Sequence, residues 1–169
     1  MNDKDLSRFL QGINDSDDLN TRLREVSDLL QTLRTHQNIS INDKIDQVSK
    51  DLNEAFKDLE EKKALPANSA AQTDLLEKII NYLRKLPLLK LTLAFRPSNE
   101  FISLLANQLS ALVKEQVVLD LSYEERIIGG LIIEFKGRYH DYSLAPKLSA
   151  FLKQKLTKYG APEEISEKL

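Results

Sequence analysis

Apolar positions early in the chain fall at Leu19, Leu23, Val26, Leu30 and Leu33, spaced 4, 3, 4, 3. That spacing is the a/d seam of an amphipathic helix, and Leu29 widens it. Asp15, Ser16, Asp17 and Asp18 precede the seam. They supply an N-cap and place negative charge at the positive end of the helix dipole. A second seam at Ile41, Ile45, Val48, Leu52, Ala55 or Phe56, and Leu59 predicts a second helix. Ser40 can cap it, with Asp43 where a capping box places its acid. Glu60, Glu61, Lys62 and Lys63 close it as a solvated charge cluster. Phe9, Leu10 and Ile13 mark a short leading helix. Two short seams joined at Gln37-Asn38 predict an antiparallel helical hairpin or a small bundle. Each seam is short for an isolated coiled coil, and either could also offer a ridge to a partner helix.

Pro66 and the small residues after it break the helical pattern. A third helix carries Leu75, Leu76, Ile79, Ile80, Leu83 and Leu86 on one face and ends before Pro87. There the period changes. Residues 88–95 alternate and read as a strand. Phe101, Leu104, Leu105, Leu109, Leu112 and Val113 mark an amphipathic helix. Its stripe reads as core, with a partner-facing edge as the alternative. Residues 117–121, 131–135 and 138–142 read as three more strands, the last two joined by the two-residue loop Lys136-Gly137. Ser143 can cap a last helix bearing Leu148, Phe151, Leu152 and Leu156. Pro146 lies in its first turn, where the missing N–H does little harm.

The fold class expected is therefore mixed and mostly α. A helical N-terminal region, hairpin or small bundle, precedes a small α+β domain with helices on one face of a short sheet. The domains expected are a helical region over 1–64, a linker and connecting helix over 65–87, the α+β domain over 88–158 and a loose tail over 159–169.

Composition narrows the function classes. At 169 residues, with 41 % hydrophobic and 30 % charged side chains, the chain reads as soluble and globular. No run approaches the ~18 apolar residues of a membrane span. Neither a secretory signal nor a transit peptide is visible at Met1-Asn2-Asp3-Lys4-Asp5. With no cysteine there is no disulfide, thiol catalysis or cysteine metal site, and the two histidines, His36 and His140, lie far apart. Net charge is −2; residues 1–64 hold 14 acidic and 10 basic side chains, and residues 65–169 hold 12 and 14. No basic stripe interleaved with aromatics appears, so no nucleic-acid partner is expected.

The candidate chemistry thins out on inspection. Gly129-Gly130 precedes a strand, not a helix N-terminus, so it lacks the converging N–H groups of a phosphate loop. Its glycines suit a sharp entry into the sheet or a close backbone approach. His140, Asp141 and Ser143 invite a triad reading. Successive strand residues point to opposite faces, which keeps His140 and Asp141 apart. The local alternative has Asp141 bonding turn backbone and Ser143 capping the helix. Glu124-Glu125 reads as solvated charge. No catalytic residue, cofactor or metal is expected.

Several of these elements together resemble a known family. They are Leu91-Thr92-Leu93-Ala94, Ser98 opening a helix, Val117–Leu121, Gly129-Gly130 before an apolar strand, Gly137 in a hairpin, and Asp141-Tyr142-Ser143 leading to Leu148. In this order and spacing, residues 88–156 resemble the C-terminal domain of the F-type ATP synthase delta subunit, the oligomycin-sensitivity-conferral protein. Tyr142 stands where the family usually has glycine, and Ala145-Pro146-Lys147 replaces a segment that is often Arg-rich. Residues 1–86 diverge from the family's six-helix bundle.

The resemblance implies a non-catalytic subunit of the peripheral stalk. Such a subunit joins the catalytic head to the b-type stalk and resists rotor torque during proton-driven ATP synthesis. Its partners would be the C-terminus of the b-type subunit and the N-terminus of the alpha subunit. It would meet the membrane only through the complex, on the cytoplasmic face. The candidate partner-binding residues are Phe151, Leu152, Lys155 and Leu156. Two other readings are an E-type stalk subunit of a V- or A-type ATPase and an unrelated helical adaptor.

Overall fold

A computed structural model describes residues 3–36, 39–127 and 129–158, without the side chains of residues 3, 4, 153 and 155–158. The turn at Gln37-Asn38 and the tail over 159–169 lie outside the described residues. The chain forms two compact units. One takes in Met1–Leu88 with Ile102–Val118, the other Leu89–Phe101 with Leu119–Leu169, so the chain passes between them three times.

In the first unit, helix α1 (Asp3–Leu6) runs into a 3-10 turn at Ser7–Leu10 that buries Phe9 and Leu10. Helix α2 (Ser16–Thr35) follows the first seam and buries Leu19, Val26, Leu29, Leu30 and Leu33. Asp15 caps it, one carboxylate oxygen accepting the N–H groups of Asp17 at 3.0 Å and Asp18 at 2.9 Å.

The second seam is not one helix. It makes 3-10 turns at Ile41–Asp43 and Ile45–Gln47, extends through Val48, and only then enters helix α3 (Lys50–Glu61). At Ser49 a tertiary partner has taken an amide that would have continued a helix, whereas the Ile41 N–H, first after the Ser40 cap, has no helical partner in any case. Gln72 Oε1 accepts the Ile41 N–H at 2.9 Å, and Glu25 accepts the Ser49 N–H at 2.8 Å. The apolar spacing survives, because Ile41 and Ile45 are still buried. Asp43 accepts the Ser40 N–H and hydroxyl at 2.7 and 2.8 Å, which holds its carboxyl below the usual range.

Helix α4 (Ser69–Leu83), capped by Asn68, puts Leu75, Leu76, Ile79, Ile80 and Leu83 into the core shared by α2 and α3. Phe9 meets Phe56 edge-on at that core, with ring centroids 5.2 Å apart. Such a geometry adds to the free energy of burial itself. Two buried polar side chains stitch the unit. Gln72 also donates to Pro66 O at 2.7 Å. Arg22, 5 % exposed, donates to Phe9 O and Gln11 O at 3.2 and 3.3 Å. It faces Glu25 at 3.5 Å and Asp51 at 3.7 Å. Burial lowers its pKa, and Glu25, Asp51 and Asp18 oppose the shift.

The remaining elements are strand β1 (Leu88–Leu93), helix α5 (Asn99–Val113), strands β2 (Val118–Tyr123), β3 (Leu131–Phe135) and β4 (Arg138–Asp141), and helix α6 (Ala145–Lys158). The sheet order is β2-β1-β3-β4. Val118 N–H donates to Pro87 O and Glu124 N–H to Leu93 O, so β1 and β2 run parallel. Parallel neighbours require a crossover, and α5 supplies it. β1–β3 and β3–β4 are antiparallel. Leu89, Leu91 and Leu93 are buried on one face of β1. On the other, Lys90 meets Glu134 at 3.7 Å and Thr92 meets Ser122 at 2.9 Å.

Candidate docking surface on the last helix

The position of α6 is set by the hairpin before it. Phe135 pairs with Arg138, leaving Lys136 and Gly137 as a two-residue loop with φ of 48° and 75°. Two consecutive positive φ values are those of a type I′ turn, whose twist matches the strands. β4 then returns along β3, and its end is fixed by three short contacts. Tyr142 N–H donates to Leu131 O at 2.9 Å, Leu144 N–H to Gly129 O at 3.1 Å, and Ser143 N–H to Asp141 Oδ1 at 2.7 Å.

The Ser143 hydroxyl bonds the same carboxylate. These two bonds, the hydroxyl first, hold the Asp141 carboxyl below its usual range. Charge on that carboxylate therefore strengthens the turn that leads into α6. The first helical bond, Leu148 N–H to Leu144 O at 2.9 Å, follows directly.

At Gly130 the chain passes close to the backbone of residues 142 and 143. A Cβ there would sit 2.4 Å from Tyr142 O and 2.8 Å from Ser143 Cα, at a φ of +83°. A Cβ at Gly129 would meet only the end of the Leu144 side chain, at 3.0 Å. Gly129 and Gly130 thus let the entry to β3 lie directly against residues 142–144. Gly137 has open space around it, so its role is the loop's φ.

With its start held this way, α6 leaves apolar side chains in solvent. Leu144, Leu148 and Phe151 are 51 %, 40 % and 53 % exposed. Spaced 4 and 3, they lie on one helical face. Ala145, Ser149 and Leu152 are half-buried. Of the expected partner-binding residues, Phe151 stands in this stripe and Leu152 beside it. The side chains of Lys155 and Leu156 lie outside the described residues. Leu148, expected as a structural position, belongs to the exposed stripe, as does Leu144, which the sequence did not single out. Tyr142 is also exposed and stacks on His140, centroids 6.1 Å apart.

The arrangement offers contact area, and it keeps His140 and Asp141 apart. His140 pairs with Ile133 and Asp141 with Ile132, which places them on opposite faces of the sheet. The polar face of the sheet holds a shallow depression of about 200 Å³ lined by Lys90, Thr92, Asp120, Ser122, Ile132, Glu134 and Tyr139. Among the described residues, no three His, Cys, Asp or Glu side chains form a metal-binding group. Among them too, no helix is long and apolar enough to cross a membrane.

Comparison with known proteins gives this surface a setting. No curated protein matches the chain. The family model that matches is that of the ATP synthase delta (OSCP) subunit, over residues 20–156. The match extends from residue 88, where the sequence motifs begin, back through α4, α3 and α2. It favours the F-type reading over the E-type one. Members of the family are structural, non-catalytic subunits of the peripheral stalk of ATP synthase, a membrane-associated complex of ATP synthesis and ion transport. With α3 to α5, the hairpin and most of α2 and α6 inside the matched span, this chain belongs to the ATP synthase delta (OSCP) subunit family.

Proposed function

We propose that this chain joins the catalytic head of a rotary F-type ATP synthase to its b-type stalk and keeps the head from turning with the rotor. The observation that carries the reading is the exposed Leu144, Leu148 and Phe151 stripe on α6 in a chain of this family. An apolar helical face in water gains stability by covering, and the partner that fits it is another helix laid alongside. The C-terminal helical segment of the b-type subunit takes that place, against Leu148, Phe151, Leu152, Lys155 and Leu156. The helical region over 1–86 meets the N-terminus of the alpha subunit. The chain sits peripherally on the cytoplasmic face, reaching the membrane through its partners, and has no catalytic activity of its own.

The test is titration calorimetry of the full chain against a synthetic C-terminal segment of the b-type subunit from the same organism. Binding at micromolar strength or tighter is expected. Full burial of a Phe side chain stabilises by about 1.5–3 kcal/mol. Phe151 is 53 % exposed, so Phe151→Ser should weaken binding by roughly three- to tenfold, half of that range being about 0.8–1.5 kcal/mol. Absence of binding by the unaltered chain would refute the stalk contact.

A further inference from the structure

The exposed stripe of α6 runs from Leu144 through Leu148 to Phe151, and α6 ends at Lys158. Residues 159–169 follow it in the sequence. Among them Gly160 and Pro162, the two weakest helix formers, predict that α6 does not run straight on. Pro162 followed by Glu163 and Glu164 is the pattern that opens a new helix, with proline in the first turn and acid at the positive end of the dipole. Ile165 and Leu169, four apart, then share one helical face. An isolated helix in water takes roughly 12–15 residues to hold. A segment this short needs an apolar surface to lie on.

Resting on the stalk reading for its consequence, we propose that residues 163–169 turn back along α6, cover the Phe151 end of the stripe and compete there with the b-type segment. The reach fits. At about 1.5 Å per residue, Phe151 lies about 10.5 Å before the end of α6. A helix over residues 163–169 is about as long, so after a reversal at Gly160–Pro162 its Leu169 comes level with Phe151. Leu148 and Leu144 lie about 15 and 21 Å before the end, past the tip of the segment. The tether favours this occupant over one from solution. A segment joined through a few residues acts at an effective concentration near millimolar. A second copy, or a stalk helix, must reach the same surface by diffusion. The docked segment keeps Phe151 covered until a partner with a longer apolar face, one that takes Leu144 and Leu148 as well, displaces it.

The contact is read from the Phe151 ring resonances of the full chain, with the Leu144 methyl resonances as the control. A full-length variant carrying Ile165→Ser and Leu169→Ser is measured beside it. The Phe151 signals should shift in the variant and the Leu144 signals should stay in place. Phe151 signals that are the same in both proteins would overturn the contact. Phe151 signals that move with protein concentration would give the stripe to a second copy, and would overturn it too.

The competition is read by titrating both proteins with the b-type C-terminal segment. The variant should bind about three- to tenfold more tightly, the factor by which a docked segment lowers the binding-competent fraction. Equal affinities would overturn the competition. If the b-type segment binds neither protein, the stalk reading falls and the competition with it, while the contact on α6 still stands or falls with the Phe151 resonances.

Discussion

Replacing Gly130 with alanine should damage the α6 region more than the same change at Gly137, although both residues sit at positive φ. At +83° and +75° the backbone cost of a Cβ is similar, about 1–2 kcal/mol in the left-handed region. The surroundings differ. At Gly137 the new methyl meets nothing within 4 Å, whereas at Gly130 it lies 2.4 Å from Tyr142 O and 2.8 Å from Ser143 Cα. Those are backbone atoms, held by the Tyr142–Leu131 and Leu144–Gly129 bonds, so they cannot swing aside as a side chain would. Overpacking of this kind adds about 1–3 kcal/mol. The totals are about 1–2 kcal/mol for Gly137→Ala and about 2–5 kcal/mol for Gly130→Ala.

A chain of two compact units need not unfold in one step, so a global melting temperature is the wrong readout. Native-state amide exchange at Tyr142 and Leu144 reports the affected contacts directly. Both amides should lose protection in Gly130→Ala by an order of magnitude or more beyond the loss in Gly137→Ala. Equal losses in the two variants would refute the close-approach argument and leave the positive φ alone as the reason for glycine.

Three more outcomes follow from the packing and the turn. Phe56→Ala removes a fully buried ring and its edge contact with Phe9, and should cost the helical unit about 3–5 kcal/mol in urea unfolding; a loss under about 1 kcal/mol would contradict its burial. Gln72→Leu keeps the volume but strands the Ile41 N–H and the Pro66 carbonyl. It should destabilise by about 2–4 kcal/mol, and a neutral result would mean that water replaces both bonds. The depressed Asp141 carboxyl stabilises the turn above the ordinary aspartate value of ~3.9, and this contribution disappears as pH falls through the lower folded value. The Ser143 amide resonance should therefore titrate with a midpoint below ~3.9, and a midpoint at or above it would show that the bonds to Ser143 do not favour the charged form.

Much of the fold is legible wherever local pattern and tertiary demand agree. The 4-3-4-3 spacing from Leu19 becomes α2, the aspartate run supplies its cap, and Lys136-Gly137 forms the hairpin loop at its expected place. Pattern failed at residues 41–48. Two 3-10 turns put Ile41 and Ile45 inside just as an α-helix would, so apolar spacing could not separate the two. A deciding group was Glu25, far away in sequence, which takes the Ser49 N–H. Arg22 was also missed, though a signal existed: it stands three after Leu19 and four before Val26, on the buried stripe. On α6, periodicity marked Leu148, Phe151, Leu152 and Leu156, and the family resemblance put the partner at Phe151, Leu152, Lys155 and Leu156. Which apolar residues stay uncovered depends on what packs over them, so Leu144 and Leu148 emerged as surface only in three dimensions.

The triple passage of the chain between its two units has a mechanical consequence. Two bodies joined by one linker deliver any pull to a single peptide segment. Here the crossings after Leu88, Phe101 and Val118 share it among three. A protease nick at any one crossing leaves the units tethered by the other two. Splitting the gene after residue 88 would instead deprive the helical unit of residues 102–118, including Val118 in its core. A pull between the two units is then borne by three main-chain segments, and the failure of one need not release the others.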